Sequence, residues 1–173
     1  LDTPRKWALP DETMSPNERL LIWASGKGSN TPVTPRYHPL VTQGDTGSYF
    51  IGTQEPPATW HDVGFDDSSW PTGPSGFGYG DGDDATYAQA GSVYIRFEFE
   101  LEAKFARILD GLYLHVDYDD AYVAHMNGRE VARENIGGAP GSHVPFNTYA
   151  PIDHEAILYQ GQKLEAKPLM PLS

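Results

Sequence analysis

The sequence predicts an all-β domain of antiparallel strands, and three observations carry that prediction. Fifteen prolines and eighteen glycines in 173 residues cut the chain into short pieces, with aromatic rings at 12%; that composition suits strands and turns better than helices. The stretch SVYIRFEFELE alternates apolar and polar residues without a break, as a strand with one buried face does. Asn127-Gly128 stands between two apolar-patterned runs, and both residue types accept the positive φ of a two-residue hairpin turn.

In chain order, ERLLIWAS (Arg19–Ser25) and GSYFIG read as strands. The polar stretch GKGSNTPVTPR (Gly26–Arg36) carries two prolines and marks a boundary between an N-terminal arm, 1–36, and a domain, 37–173. In WHDVGFDDSSW the rings of Trp60, Phe65 and Trp70 recur every five residues. That spacing fits neither helix nor strand, so they are expected to anchor a loop to the core. Val93, Ile95, Phe97, Phe99 and Leu101 then share the inner face of the strongest strand, with Tyr94, Arg96 and the glutamates facing water. In LYLHVDY, Leu112, Leu114, Val116 and Tyr118 share one face. Tyr122–Met126 and Arg129–Arg133 form the hairpin around Asn127-Gly128. NIGGAPGSHVPFNTYAP reads as a long loop, and HEAILYQGQKLEAKPL as one or two short closing elements.

The bulk numbers exclude several functions. A formal charge of −12, from 24 acidic and 12 basic residues, disfavours nucleic acid and anionic membranes. With no cysteine, disulfides, zinc-thiolate sites and cysteine nucleophiles are ruled out. No apolar run nears the ~20 residues of a membrane helix. The chain opens on Leu1 and is expected to be a processed or excised piece.

GFGYGDGDDAT (Gly76–Thr86) is the most unusual segment, with four glycines and three aspartates in eleven residues. It is no phosphate cradle, because its carboxylates repel the anion and no lysine follows. Two readings fit. Asp81, Asp83 and Asp84, with Asp120 from VDYDD, would hold a structural Ca2+ through oxygens at ~2.4 Å, although the EF-hand spacing and its terminal glutamate are missing. Alternatively, the glycines permit positive φ and the aspartates make Asx turns on a solvated loop. Asp66 and Asp67 of FDDSSW read as caps on backbone N–H groups, whereas Asp117, Asp119 and Asp120 fit capping of the turn, completion of a cation site with the first loop, or bonding of sugar hydroxyls.

Nothing points to catalysis. Glycoside hydrolysis needs two carboxylates set across a cleft, one of them in an apolar pocket that raises its pKa, whereas glycine-aspartate loops are wet. His38, His61, His115, His125, His143 and His154 form no H-x-H or H-E-x-x-H pair. No G-x-S-x-G elbow occurs. Recognition remains. Exposed rings stack on the C–H faces of sugars while Asp, Asn, Arg and His bond the hydroxyls. Tyr79 and Tyr87, flanking the acidic loop, are the first candidates, with Asp117, Asp119 and Arg96 as hydroxyl partners. Tyr113, Tyr122 and Trp60 come next, although Trp60 and Trp70 suit a core better.

Three stretches taken in order, WHDVGFDDSSWPTGPSGFGYGDGDDAT, SVYIRFEFEL and LYLHVDYDDAYVAHMNGREVARENIG, resemble the galactose-binding-domain-like jelly roll of large secreted and surface-attached bacterial proteins. The match runs from about Tyr37 to Tyr159. The resemblance implies a jelly-roll β-sandwich with its ligand at loops on one end, Gly76–Tyr87 near Asp117–Asp120. It also implies polysaccharide or neighbouring domains of the same parent protein as partners. Upstream, RKWALPDETMSPNERLLIWASGKG looks like the end of a lamin-tail domain, found before such jelly rolls in chains that also carry a CotH-like kinase domain. The strand that usually closes the family's sandwich has no counterpart in LEAKPLMPLS, so a fragment, or an edge supplied by a neighbour, is expected.

Overall fold

The computed structural model describes residues 39–80, 82, 84–101, 112–157 and 167–168. The arm 1–36 and the strand expected at Arg19–Ser25 lie outside them. The described residues contain strands, turns and bends but no helix. The strands are β1 Thr46–Ile51, β2 Thr72–Pro74, β3 Phe77–Gly78, β4 Thr86–Tyr87, β5 Val93–Arg96, β6 Tyr113–Leu114, β7 Tyr122–Met126, β8 Arg129–Glu134 and β9 Lys167–Pro168. They form one three-stranded sheet, β2-β1-β5, and three two-stranded ladders, β3-β4, β6-β9 and β7-β8. All pairings are antiparallel except β3-β4. The fold class is therefore all-β.

In the register Ser48↔Arg96 and Phe50↔Tyr94, four side chains of β1 and β5 share one face. Phe50 packs on Trp70 at 5.3 Å and on Tyr94 at 6.1 Å. Trp60 meets Tyr94 at 5.1 Å, and Phe65 meets Trp70 at 5.5 Å. The Trp60–Trp70 loop thus lies over this face, its rings five residues apart because each reaches a different partner. On the opposite face Tyr49 packs on Phe77, with ring centroids 5.3 Å apart.

This arrangement corrects two sequence expectations. The Tyr94–Arg96 side of β5 does not face water, because the aromatic loop covers it. The strand also stops at Arg96 rather than running to Leu101, and Phe99 is 40% exposed. Alternation announces a face, but a ladder needs a partner backbone. β1 supplies one only as far as Ser48; at Gly47 the Phe97 ring crowds the bare Cα, and upstream the chain turns, with Asp45 N bonded to Thr42 O at 3.0 Å.

The hairpin forms where expected, with Asn127 at φ 50° and Gly128 at φ 81°. Its ladder runs Ala124↔Ala132 and then His125↔Glu130, so Val131 is an extra residue on β8. Such a bulge twists the strand and redirects its side chains; here it sends Val131 to 3% exposure. Val131, Ala88 at 4% exposure, and Pro56 are buried apolar residues among the described residues. Of the expected LYLHVDY strand only Tyr113–Leu114 is laddered, paired with Lys167–Pro168.

Candidate functional site

The ladder β3-β4 shapes the most distinctive surface. Phe77 pairs with Thr86 and Gly78 with Tyr87. Paired residues of a parallel ladder project to the same side, and successive residues to opposite sides. The first pair turns inward: Phe77 meets Tyr49, and Thr86, 8% exposed, donates its hydroxyl to Pro74 O at 2.7 Å. Backbone bonds from Thr86 N to Gly76 O at 2.9 Å and from Ala88 N to Gly78 O at 2.8 Å close the loop at its neck.

The second pair therefore turns outward. Tyr87 is 67% exposed, and its hydroxyl donates to Gln89 Oε1 at 2.6 Å, which fixes the ring. The Asp84 carboxylate rests where a side chain on Gly78 would begin. Facing positions of neighbouring strands lie about 5 Å apart, so the carboxylate occupies the position laterally paired with the base of the Tyr87 side chain. Only glycine at 78 leaves that space. A fixed ring, a carboxylate and a carboxamide thus share one small face. Tyr79 is also exposed, at 50%, but follows the ladder and is not oriented by it. Gln89 was not anticipated; the Tyr-x-Gln spacing of two is the signal that would have revealed it.

The other expected ligand contacts are engaged in bonds within the protein. Arg96, expected to reach a ligand, points inward with 10% of its side chain exposed. Its Nε donates to Asp67 Oδ2 at 2.9 Å and its Nη1 to the carbonyls of Trp60 and Asp62, while its Cζ lies 5.2 Å over the Phe65 ring. The Ser48 hydroxyl, with the Arg96 guanidinium after it, holds the Asp67 carboxyl below the usual carboxylate range. This cluster fastens the aromatic loop to the sheet.

Asp117 and Asp120 act as caps. Asp117 Oδ1 accepts from Ile157 N at 2.7 Å, and Asp120 Oδ1 from His154 N at 2.7 Å. His154 stacks on Tyr118 at 4.0 Å with 8° between the planes, and its Nδ1 lies 3.0 Å from Tyr118 O. Asn135 ties the same corner by donating to Asp120 O and Ile152 O. Asp119 is exposed in this bend. Of the aspartates expected around a cation, Asp81 and Asp83 lie outside the described residues, Asp84 rests on Gly78 and Asp120 bonds His154 N. Among the described residues no group of three or more His, Asp or Glu is placed to hold a metal ion, and no helix is long and apolar enough to cross a membrane.

One ionic node outside these expectations is well built. Glu130 receives Arg133 Nε at 2.7 Å and Nη2 at 2.5 Å, and also Gly141 N at 2.8 Å. Arg133 in turn donates to Gly137 O and Ser142 O, both at 2.9 Å, which pins the 137–142 loop against β8.

Comparison with protein-family models, curated proteins and solved structures finds no match to this chain.

Proposed function

We propose that this chain is a non-catalytic module of a larger secreted or surface-attached bacterial protein. It binds carbohydrate or cell-wall polymer and is built on a jelly-roll sandwich of the galactose-binding type. The observation that carries the reading is the Tyr87 face: an exposed ring, fixed by Gln89, with the Asp84 carboxylate beside it on Gly78. A sugar presents a C–H face that stacks on an aromatic ring and hydroxyls that donate to carboxylate and amide oxygens. The net charge of −12 favours a neutral or basic polymer over an acidic one.

Affinity electrophoresis through gels containing soluble glycans tests the reading. Retardation is expected in at least one neutral glycan, and Tyr87→Ala is expected to weaken it. Losing contact with one ring removes about 1–2 kcal/mol of apolar burial, or roughly 5- to 30-fold in affinity. Full retardation of the Tyr87→Ala variant removes the face from the reading.

A second reading is a spacer packed against a catalytic neighbour and binding nothing itself. It is favoured by the apolar groups left in solvent: Val63 is 75% exposed, Ile152 70% and Tyr149 80%. A spacer migrates unretarded through every glycan.

A further inference from the structure

The turn of the β7–β8 hairpin is docked on the Trp60–Asp62 loop, and two histidines form the joint. The rings of His61 and His125 stack at 4.5 Å with 7° between their planes. Trp60 closes the stack with edge contacts at 5.5 and 5.6 Å. Gly128 N donates to His61 O at 2.9 Å, and the bare Gly128 Cα faces the Asp62 carboxylate, which a Cβ would meet at 2.8 Å. The Nδ1 atoms of both histidines are buried and make no hydrogen bond. Asp62 Oδ1 comes within 3.2 Å of His61 Nδ1 without the alignment a hydrogen bond requires. The pair is no metal site, because lone pairs lying in parallel planes do not converge on one ion.

We infer that the His61–His125 stack is a proton-operated latch, which holds the hairpin turn on the aromatic loop while both rings are neutral and releases it on acidification.

The surroundings decide the direction. From β8, Glu130 stands opposite His125 in the ladder, but its charge is balanced by Arg133. From the loop, the Asp62 carboxylate, 48% exposed, lies on the His61 side of the stack. From β5, Tyr94 touches Trp60 at 5.1 Å, and Arg96, paired with Asp67, brings positive charge to the Trp60 and Asp62 carbonyls. A second proton therefore sets two like charges 4.5 Å apart in a half-buried joint, where the interaction is screened far less than in water. Burial first, and the charge of His61 after it, hold His125 below the ordinary histidine range; Arg133 adds to this and Glu130 opposes it. The open hairpin thus binds more protons than the closed one, and the closed form weakens as pH falls through the ordinary histidine range near 6.5.

The test is amide hydrogen exchange of the β7–β8 hairpin from pH 7.5 to 5.0, corrected for intrinsic rates, in wild type and in His125→Phe. The hairpin amides of the wild type are expected to lose protection progressively as the pH falls. The β1–β5 amides should hold theirs. His125→Phe keeps a stacked ring and removes the proton, so its hairpin protection should not change with pH. Hairpin protection equal at both ends of the range overturns the latch, as does an unaltered pH response in His125→Phe. NMR titration of the wild-type imidazoles decides independently of any variant. A His125 midpoint below the ordinary range, with hairpin amide shifts following it, supports the latch. A midpoint at the ordinary value with stationary amides refutes it.

Discussion

Replacing Glu130 by alanine isolates a strongly buried ion pair among the described residues. The Glu130 side chain is 3% exposed and that of Arg133 10%, so the substitution leaves a guanidinium without its counter-ion in a poorly hydrated place. Breaking a buried pair from one side costs about 3–5 kcal/mol. The lower end applies, because Arg133 keeps the Gly137 and Ser142 carbonyls and the released Gly141 N–H is exposed to water. A loss of about 3 kcal/mol lowers the melting midpoint of a domain this size by roughly 6–12 °C. Scanning calorimetry and urea unfolding at pH 7 read it. Glu55→Ala is the control. Its contact with His143 spans 3.5 Å between side chains that are 44% and 71% exposed, and its bond from Phe146 N is exposed to water, so the substitution should cost under about 1 kcal/mol. Because the bonds from Arg133 hold the Glu130 carboxyl below its ordinary value of 4.5, the stabilisation is complete above that value. It disappears as pH falls through the lower folded-state value, so wild type and variant should converge in acid. Glu130→Ala within about 1 kcal/mol of wild type at pH 7, or a gap that persists in acid, refutes the assignment.

Other substitutions probe separate links. Gly128→Ala should lower the free energy of urea unfolding by about 1–2 kcal/mol, since alanine is strained at φ 81° and its Cβ displaces the Asp62 carboxylate. Gly44→Ala, at φ 89° with nothing within 4 Å, should show the conformational part alone, and equal losses would remove the Asp62 contact from the account. Asp67→Ala should cost about 2–3 kcal/mol by removing the half-buried partner of Arg96, which keeps only the exposed Glu98 carboxylate and the Trp60 and Asp62 carbonyls. The Asp67 carboxyl lies below its ordinary 3.8, so this contribution is present above that value and lost as pH falls through the folded-state value. A variant that keeps the wild-type acid unfolding limb would show that Asp67 does not contribute to it.

Sequence alone determined whatever depends on neighbours one to three residues away. The all-β class follows from turn density and alternation, and the hairpin follows from Asn127-Gly128, whose backbone preferences are intrinsic. The capping use of Asp117 and Asp120 was among the readings that short side chains near a bend allow. Tyr87 was legible as an exposed ring because it borders a glycine-rich loop. Tertiary structure decided what each side chain meets. The alternation of Val93–Leu101 does not reveal that the partner strand ends at Ser48, nor that an aromatic loop covers Arg96 and turns it from a surface group into an anchor. Nothing local foretells that Asp84 comes to lie on Gly78 beside Tyr87, or that His61 stacks on His125 sixty-four residues later. Periodicity and turn preference are properties of a short stretch of backbone, whereas these juxtapositions exist only once strands pair and loops dock, with a selectivity set by packing and burial over long chain separations.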